Sequence, residues 1–214
     1  MECTQLMKKK GKSMWGDKTP HYILKLNQLV NLYPNAKYLY IVRDGRDVAL
    51  SLLKKPWGPN NIYKCAEQWA AANNSEQQLL LTALKDKGQL LYIKYEELLE
   101  KTEQECRRIY EFLGDDIENH REMVDALIAK TMSGNHAKWK TQMTSQQISI
   151  YEATAKSSLL YHNYELMDPE SQLSALKVFG YKLHHQLLFL KHMFVMNVID
   201  GLKIKFLGKQ PFNE

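Results

Sequence analysis

Arg43 follows the apolar run Lys37-Tyr38-Leu39-Tyr40-Ile41-Val42, whose aromatic and β-branched residues predict a strand. At the C-terminal edge of a parallel strand, where open α/β sheets take their ligands, a guanidinium can grip phosphate oxygens with two N–H groups at once. The N–H groups that open the next helix can add to that grip. Ser51, two turns into that helix, offers a hydroxyl to the same anion if its side faces the pocket. The spacing equally permits a purely structural arrangement, in which Arg43 pairs with Asp44 or Asp47 and Ser51 is a small packing residue. Asp44 is placed to cap the helix, and Asp47 holds the capping-box position without the usual Glu or Gln. Arg46 points a turn away from Arg43 and is expected as an ion-pair partner or a solvent-facing side chain rather than as a second clamp.

The elements that must hold these residues follow from periodicity. Residues 37–42 and Leu90-Leu91-Tyr92-Ile93-Lys94-Tyr95 are the two clear strands, and each leads into a helix, so an α/β fold with a parallel sheet flanked by helices is expected. The apolar density of the first strand suits a sheet covered on both faces. Ahead of it, Thr19 caps a helix with Pro20 at its first position, and Tyr22, Leu26, Leu29, Val30 and Tyr33 give that helix a buried face. A long helix is expected over 62–84, and another from a Thr102/Glu105 capping box to a stop at Gly114. Residues 118–129 read as a further helix, 131–140 as a polar loop, and Thr144/Gln147 as the capping box of a helix reaching Tyr161. From Asp168 the pattern changes to apolar and basic stretches. The chain therefore divides into residues 1–167 and an appended helical segment, 168–214, with one or two helices over 171–200. Two strands are few for a free-standing sheet of this kind.

At 214 residues with 44% apolar and 25% charged residues, the chain can bury a core and need not be disordered. A net charge of +5, from 29 basic and 24 acidic residues, permits an anionic ligand and calls for no nucleic acid. Lys8-Lys9-Lys10-Gly11-Lys12 reads as a solvated arm, a phosphate contact or a membrane-surface contact. Cys3, Cys65 and Cys106 are odd in number and lack metal-ligand spacing, so free thiols in a reducing, cytoplasmic setting and no metal site are expected. Residues 187–199 are strongly apolar but broken by Lys191, His192 and Asn197, and are too short to span a bilayer. They read as a docked helix, with Phe189, Phe194, Val195 and Val198 as the alternative contact to a membrane surface, a partner or a second copy.

Residues 15–51, from Trp15-Gly16-Asp17-Lys18-Thr19-Pro20 through Arg43-Asp44-Gly45-Arg46-Asp47 to Ser51, resemble the central portion of the sulfotransferases that use 3'-phosphoadenylyl sulfate. Tyr92-Ile93-Lys94-Tyr95-Glu96-Glu97-Leu98-Leu99 with Phe112-Leu113-Gly114 resembles a second signature of that family, and His136-Ala137-Lys138-Trp139-Lys140 a third. The matches run in the family's order over about residues 15–165.

The resemblance implies a sulfotransferase fold of the P-loop nucleotide-hydrolase type and transfer of a sulfuryl group from 3'-phosphoadenylyl sulfate to a hydroxyl or amine of a small molecule or glycan, without a metal. By it, Arg43 and Ser51 hold the cofactor's 3'-phosphate and Tyr95 lies beside the adenine. The loop 133–140, with Lys138, Trp139 and Lys140, closes over the same phosphate, where related enzymes place an arginine and glycines. Lys18 faces the departing oxygen, where a fixed cation favours the transition state, and Asp17 or His21 is the general base, with Glu67 as a further option. The family's Gly- and Ser/Thr-rich loop for the 5'-phosphosulfate finds no match in the sequence, so the first strand of the fold is expected to be lacking. A truncated product, a piece on another chain and a loss of catalysis each account for that. The alternative function is a catalytically inactive fragment, or a nucleotide-binding or structural protein derived from such an enzyme. A kinase of the same general fold is disfavoured by the same missing loop.

Overall fold

A computed structural model of the chain describes residues 14–55, 58–131 and 134–207. The basic run 8–12, Cys3, Trp57 and Ser133 lie outside the described residues. The chain forms two compact units, residues 1–36 and 37–214, so the expected segment 168–214 falls inside the second.

In the first unit a 3-10 turn, Pro20–Lys25, leads into α1, Leu26–Leu32. Thr19 takes the N-cap position with extended backbone and Pro20 opens the helix, but the Thr19 side chain makes no capping bond. The buried face expected here reduces to Leu26; Tyr22 and Tyr33 are exposed, with Tyr33 edge-on to Trp15. At three residues per turn, the 3-10 segment carries Tyr22 off the α-helical stripe. Its hydroxyl donates instead to Asp17.

The second unit runs β1 (Tyr38–Val42), α2 (Gly45–Leu52), α3 (Ile62–Ala72), α4 (Ser75–Asp86), β2 (Leu90–Lys94), α5 (Tyr95–Glu100) and α6 (Thr102–Leu113), then α7 (Arg121–Lys130), α8 (Trp139–Gln142), α9 (Ser145–Tyr161) and α10 (Ala175–Leu207). The strands β1 and β2 pair in parallel with Tyr38 opposite Leu90, and form a two-stranded sheet among the described residues. This is the expected α/β arrangement of a small parallel sheet flanked by helices. The expectation that both faces of the first strand are covered fails: Tyr40 and Val42 face the core, whereas Leu39 and Ile41 are 42% and 51% exposed. An unbroken apolar run says that a strand can be buried on both faces, and tertiary packing decides whether it is.

The expected long helix over 62–84 is two helices. Asn74 ends the run by accepting the Gln77 N–H as the N-cap of α4, and the Asn73 amide donates to the Trp69 carbonyl. Asparagine offers the backbone a local partner that competes with the helical ladder. Thr102 is likewise the first residue of α6 rather than its cap, because its hydroxyl turns back to the Leu98 carbonyl. The stop at Gly114 stands, with φ of 85° in the left-handed region. The Thr144/Gln147 capping box is present, with both of its bonds formed.

Helix α9 packs on α3 around Ala66, Tyr151, Ala155 and Leu159, all completely buried. Beside this core runs a polar chain. Tyr40 donates its hydroxyl to Asn73 Oδ1 at 2.5 Å, His162 Nε2 lies 2.7 Å from that same oxygen, and Tyr92 Oη lies 3.1 Å from His162 Nδ1. A neutral His162 with its proton on Nε2 satisfies every member. Burial, and secondarily the charge of Lys94, push its pKa from 6.5 down to about 4. The unfolded chain therefore takes up a proton near pH 6.5 and the folded chain only near pH 4. The stabilisation is complete above the unfolded value and falls away as pH drops between the two. By pH 5 the loss reaches roughly 1–2 kcal/mol. Denaturant unfolding at pH 7 and pH 5 measures it, and His162→Gln flattens the dependence.

Candidate functional site

The turn from β1 to α2 is held by buried charges. Asp44 caps α2 by accepting the Arg46 N–H at 2.9 Å, and its two oxygens take Arg46 Nε and Nη2 at 3.0 and 2.8 Å. Arg46 Nη1 reaches Glu152 Oε1 on α9 at 2.5 Å and the Glu165 carbonyl at 2.8 Å. The guanidinium lies 3.6 Å from the centre of the Trp139 ring, and the residue is 1% exposed. Burial works against its charge, but the bonds to Asp44 and Glu152 outweigh that and raise its pKa. Glu152 also accepts the N–H groups of Met167 and Asp168. The carboxylate of Glu96 holds the turn from the β2 side, accepting the Asp44 N–H and the Tyr164 hydroxyl. Asp47 accepts the Trp139 N–H at 2.9 Å, which pins the loop 134–140 to α2.

Arg43 is left over. Of the two arrangements that spacing left open for it, pairing with Asp44 or Asp47 is not the one formed: Arg46 occupies Asp44, and Asp47 is turned to Trp139. Among the described residues Arg43 makes no ion pair. Its guanidinium lies 4.7 Å from the ring centre of Tyr95, its Nη2 is 3.4 Å from the Asn135 carbonyl, and its Nε is buried without a partner. The helix N-terminus adds less to a grip than its position suggests, since the Arg46 N–H is already capped.

The structure thus brings Arg43, Tyr95 and the loop 134–140 together. Tyr95 is half-buried at the start of α5, and Ser51 is exposed on α2. In the loop, Gly134 and Ala137 both have positive φ, a conformation that is costly for an alanine. His136 closes the loop onto Glu100 at 2.9 Å. Lys138 and Lys140 are exposed. Trp139 is a core residue, 3% exposed behind the loop, with Lys140 Nζ 5.7 Å from its ring.

Three further candidates lie in the first unit. Lys18, Asp17 and His21 are all exposed there, and Asp17 accepts the Tyr22 hydroxyl. Glu67, on α3, is bound to Lys64 and Tyr63 and lies 3.6 Å from Lys182. Burial works to raise its pKa, but the Lys64 bond and charge outweigh it, leaving the pKa lowered. A carboxylate so neutralised is a poor proton acceptor. Cys65 and Cys106 are free and buried, and burial pushes the Cys65 thiol up to about 12. Among the described residues no three His, Cys, Asp or Glu side chains gather as a metal-ligand set.

Arg46 takes the first of its two expected roles, as an ion-pair partner, and is the hub of the turn. The residues that spacing did not single out are Glu152, which binds it, Glu96, which holds the Asp44 N–H, and Asn135, whose carbonyl faces Arg43. One signal was available. Glu152 sits at helical spacing with Ile148, Ala155 and Leu159, and a carboxylate on an apolar helix face demands a cation.

Comparison with known proteins places the chain among relatives of one family. The model of the sulfotransferase family matches residues 2–119, more than half of the chain. A putative protein-tyrosine sulfotransferase of Caenorhabditis briggsae is 28% identical over 116 residues, covering 51% of this chain and 41% of that protein. Protein-tyrosine sulfotransferase A of Caenorhabditis elegans is 28% identical over 144 residues, 63% of this chain and 36% of its own. Nodulation protein NoeE of Sinorhizobium fredii is 27% identical over 132 residues, 53% of this chain and 31% of that protein. The chain thus spans about two fifths or less of the curated relatives that it matches. With a family match that covers more than half of its length and takes in both strands, the chain belongs to the sulfotransferase family.

Proposed function

We propose that this chain carries the 3'-phosphate end of a nucleotide site, and that the activity it serves is transfer of a sulfuryl group from 3'-phosphoadenylyl sulfate to a hydroxyl or amine. The observation that carries the reading is Arg43: a guanidinium without a carboxylate, with a buried and unpartnered Nε, against an aromatic ring. Leaving such a donor unpaired costs about 1–3 kcal/mol, and an oxyanion would offset that cost. The cofactor supplies an activated sulfuryl group when bound. In this reading Arg43 holds the 3'-phosphate and Tyr95 offers a ring to the purine. Ser51, Lys138 and Lys140 add donors at the rim, and the buried Trp139 sets the loop's position. Lys18 is assigned to the departing oxygen, and His21 or Asp17 to the acceptor's proton. The protein-tyrosine relatives make a phenolic hydroxyl one acceptor of suitable chemistry.

Calorimetric titration of the purified chain with adenosine 3',5'-bisphosphate tests the site. The expected result is micromolar binding that Arg43→Ala weakens about 10- to 100-fold, with Arg43→Lys recovering only part of the loss because a lysine cannot form the paired bonds. No binding by a chain shown to be folded by circular dichroism overturns the reading. Binding without turnover alongside a suitable acceptor supports the nucleotide site and removes the assignment of catalysis to this chain.

A further inference from the structure

Helix α10 is 33 residues long, about 50 Å at 1.5 Å per residue. Its docked side recurs at helical spacing as Val178, Tyr181, His185 and Leu188, all partly buried. Val178 and Tyr181 pack on the core, the Tyr181 ring stacks on Tyr63 with centres 5.8 Å apart, and Asn61 donates to the Tyr181 carbonyl at 3.0 Å. The opposite side carries a second stripe at the same spacing: Leu176, Phe179, Leu183, Leu187, Leu190 and Phe194, from 42% to 80% exposed. It runs for about 27 Å along the helix and contains no polar residue.

What borders this stripe selects its occupant. At 100° per residue, Lys177, Lys191 and His184, whose Nδ1 lies 3.3 Å from Asn61 Nδ2, fall along one flank, and Lys182 with Gln186 and the exposed Phe189 and Met193 along the other. Lys182 is shared with Glu67 at 3.6 Å. Residues 175–199 hold no acid at all. A second copy laid on the stripe would set lysine flank against lysine flank, and an unbroken apolar stripe offers no polar group by which a folded partner could be specified. Lysines at the edge of an apolar face can lay their stems along it and keep the ammonium among anionic headgroups. Among the described residues no helix is long and apolar enough to cross a membrane, so the remaining geometry is a helix lying in the plane of the surface.

We propose that the exposed face of α10 docks on an anionic lipid surface, with Leu176 to Phe194 in the acyl boundary and Lys177 and Lys191 at the headgroups. The side that packs on α3 stays engaged, so the helix holds the rest of its unit against the bilayer.

Flotation of the full chain with vesicles tests this, using phosphatidylcholine alone and phosphatidylcholine with about one third phosphatidylserine. Binding to the anionic vesicles and not to the neutral ones is expected. Lys177→Gln and Lys191→Gln each weaken it about five-fold, and Leu187→Ser with Phe194→Ser weakens it by about tenfold or more. All four side chains are exposed, and circular dichroism confirms that the variants fold. Equal binding to both vesicle types overturns the charge selection and with it the proposal. Absence of vesicle binding also overturns it. A dimer that the Leu187/Phe194 variant dissociates would then assign the stripe to a second copy, and a monomer would assign it to a different protein.

Discussion

Arg46→Ala is expected to destabilise the chain by about 3–5 kcal/mol, enough to unfold much of it if its stability lies at the low end of the usual 5–15 kcal/mol. The reason is electrostatic. Asp44 and Glu152 are both buried, and the guanidinium between them bridges the two at 2.8 and 2.5 Å. Taking it away leaves two carboxylates in the interior without their cation, the Glu165 carbonyl without its donor, and a void against the Trp139 ring. Urea unfolding followed by tryptophan fluorescence measures the loss. A second substitution separates charge from packing: Arg46→Met restores much of the volume but not the bonds, and recovers less than half of the lost stability if the charges dominate. By contrast Arg43→Ala, at a residue bonded to one backbone carbonyl, is expected to leave the unfolding midpoint nearly unchanged. The two neighbouring arginines thus separate into one that builds the turn and one that the turn presents.

Gly45→Ala carries the second large effect, about 3 kcal/mol of destabilisation. A Cβ on Gly45 would lie 2.0 Å from Tyr151 Oη and 2.5 Å from Trp69 Cδ2, both inside any van der Waals contact. Tyr151 is completely buried and belongs to the tight α3–α9 packing, so it has nowhere to move without disturbing Ala66 and Ala155. The first turn of α2 must shift instead, and with it the carbonyl end of β1 that bears Arg43. Thermal unfolding is expected to show the loss of stability. Titration with adenosine 3',5'-bisphosphate is expected to show weaker binding at temperatures where the variant is still folded. The double variant Gly45→Ala, Tyr151→Phe removes the hydroxyl that is struck first and recovers part of the stability, because Tyr151 Oη has no hydrogen-bond partner to lose.

Much of the fold was legible because local rules governed it. The Thr144/Gln147 box, the Gly114 stop and the two strands depend on residues within a few positions of one another. What was not legible depended on distance. Leu39 and Ile41 read as buried because apolar residues alternate with nothing, and only the tertiary structure shows that one face is uncovered. The break at Asn73-Asn74 hides inside a periodicity that continues through it. In the site, spacing marked Arg43 and Ser51 and the family resemblance added Tyr95, and Arg43 and Tyr95 lie together. It left open whether Arg43 was neutralised, because the competing arginine that claims Asp44 does so with help from a glutamate in another helix.

That glutamate lies 106 residues further along the chain. During synthesis at about 5–20 residues per second, Arg46 and Asp44 wait on the order of 5–20 s for it to be made. Throughout that interval Asp44 and Asp47 are the nearest acids to both arginines, and either arginine can take them. The order in which the pieces emerge therefore allows an early pairing of Arg43 with Asp44 or Asp47 that the folded structure does not contain. The anchoring of Arg46 at Glu152, which leaves Asp44 closed to Arg43, therefore cannot form until α9 has been made.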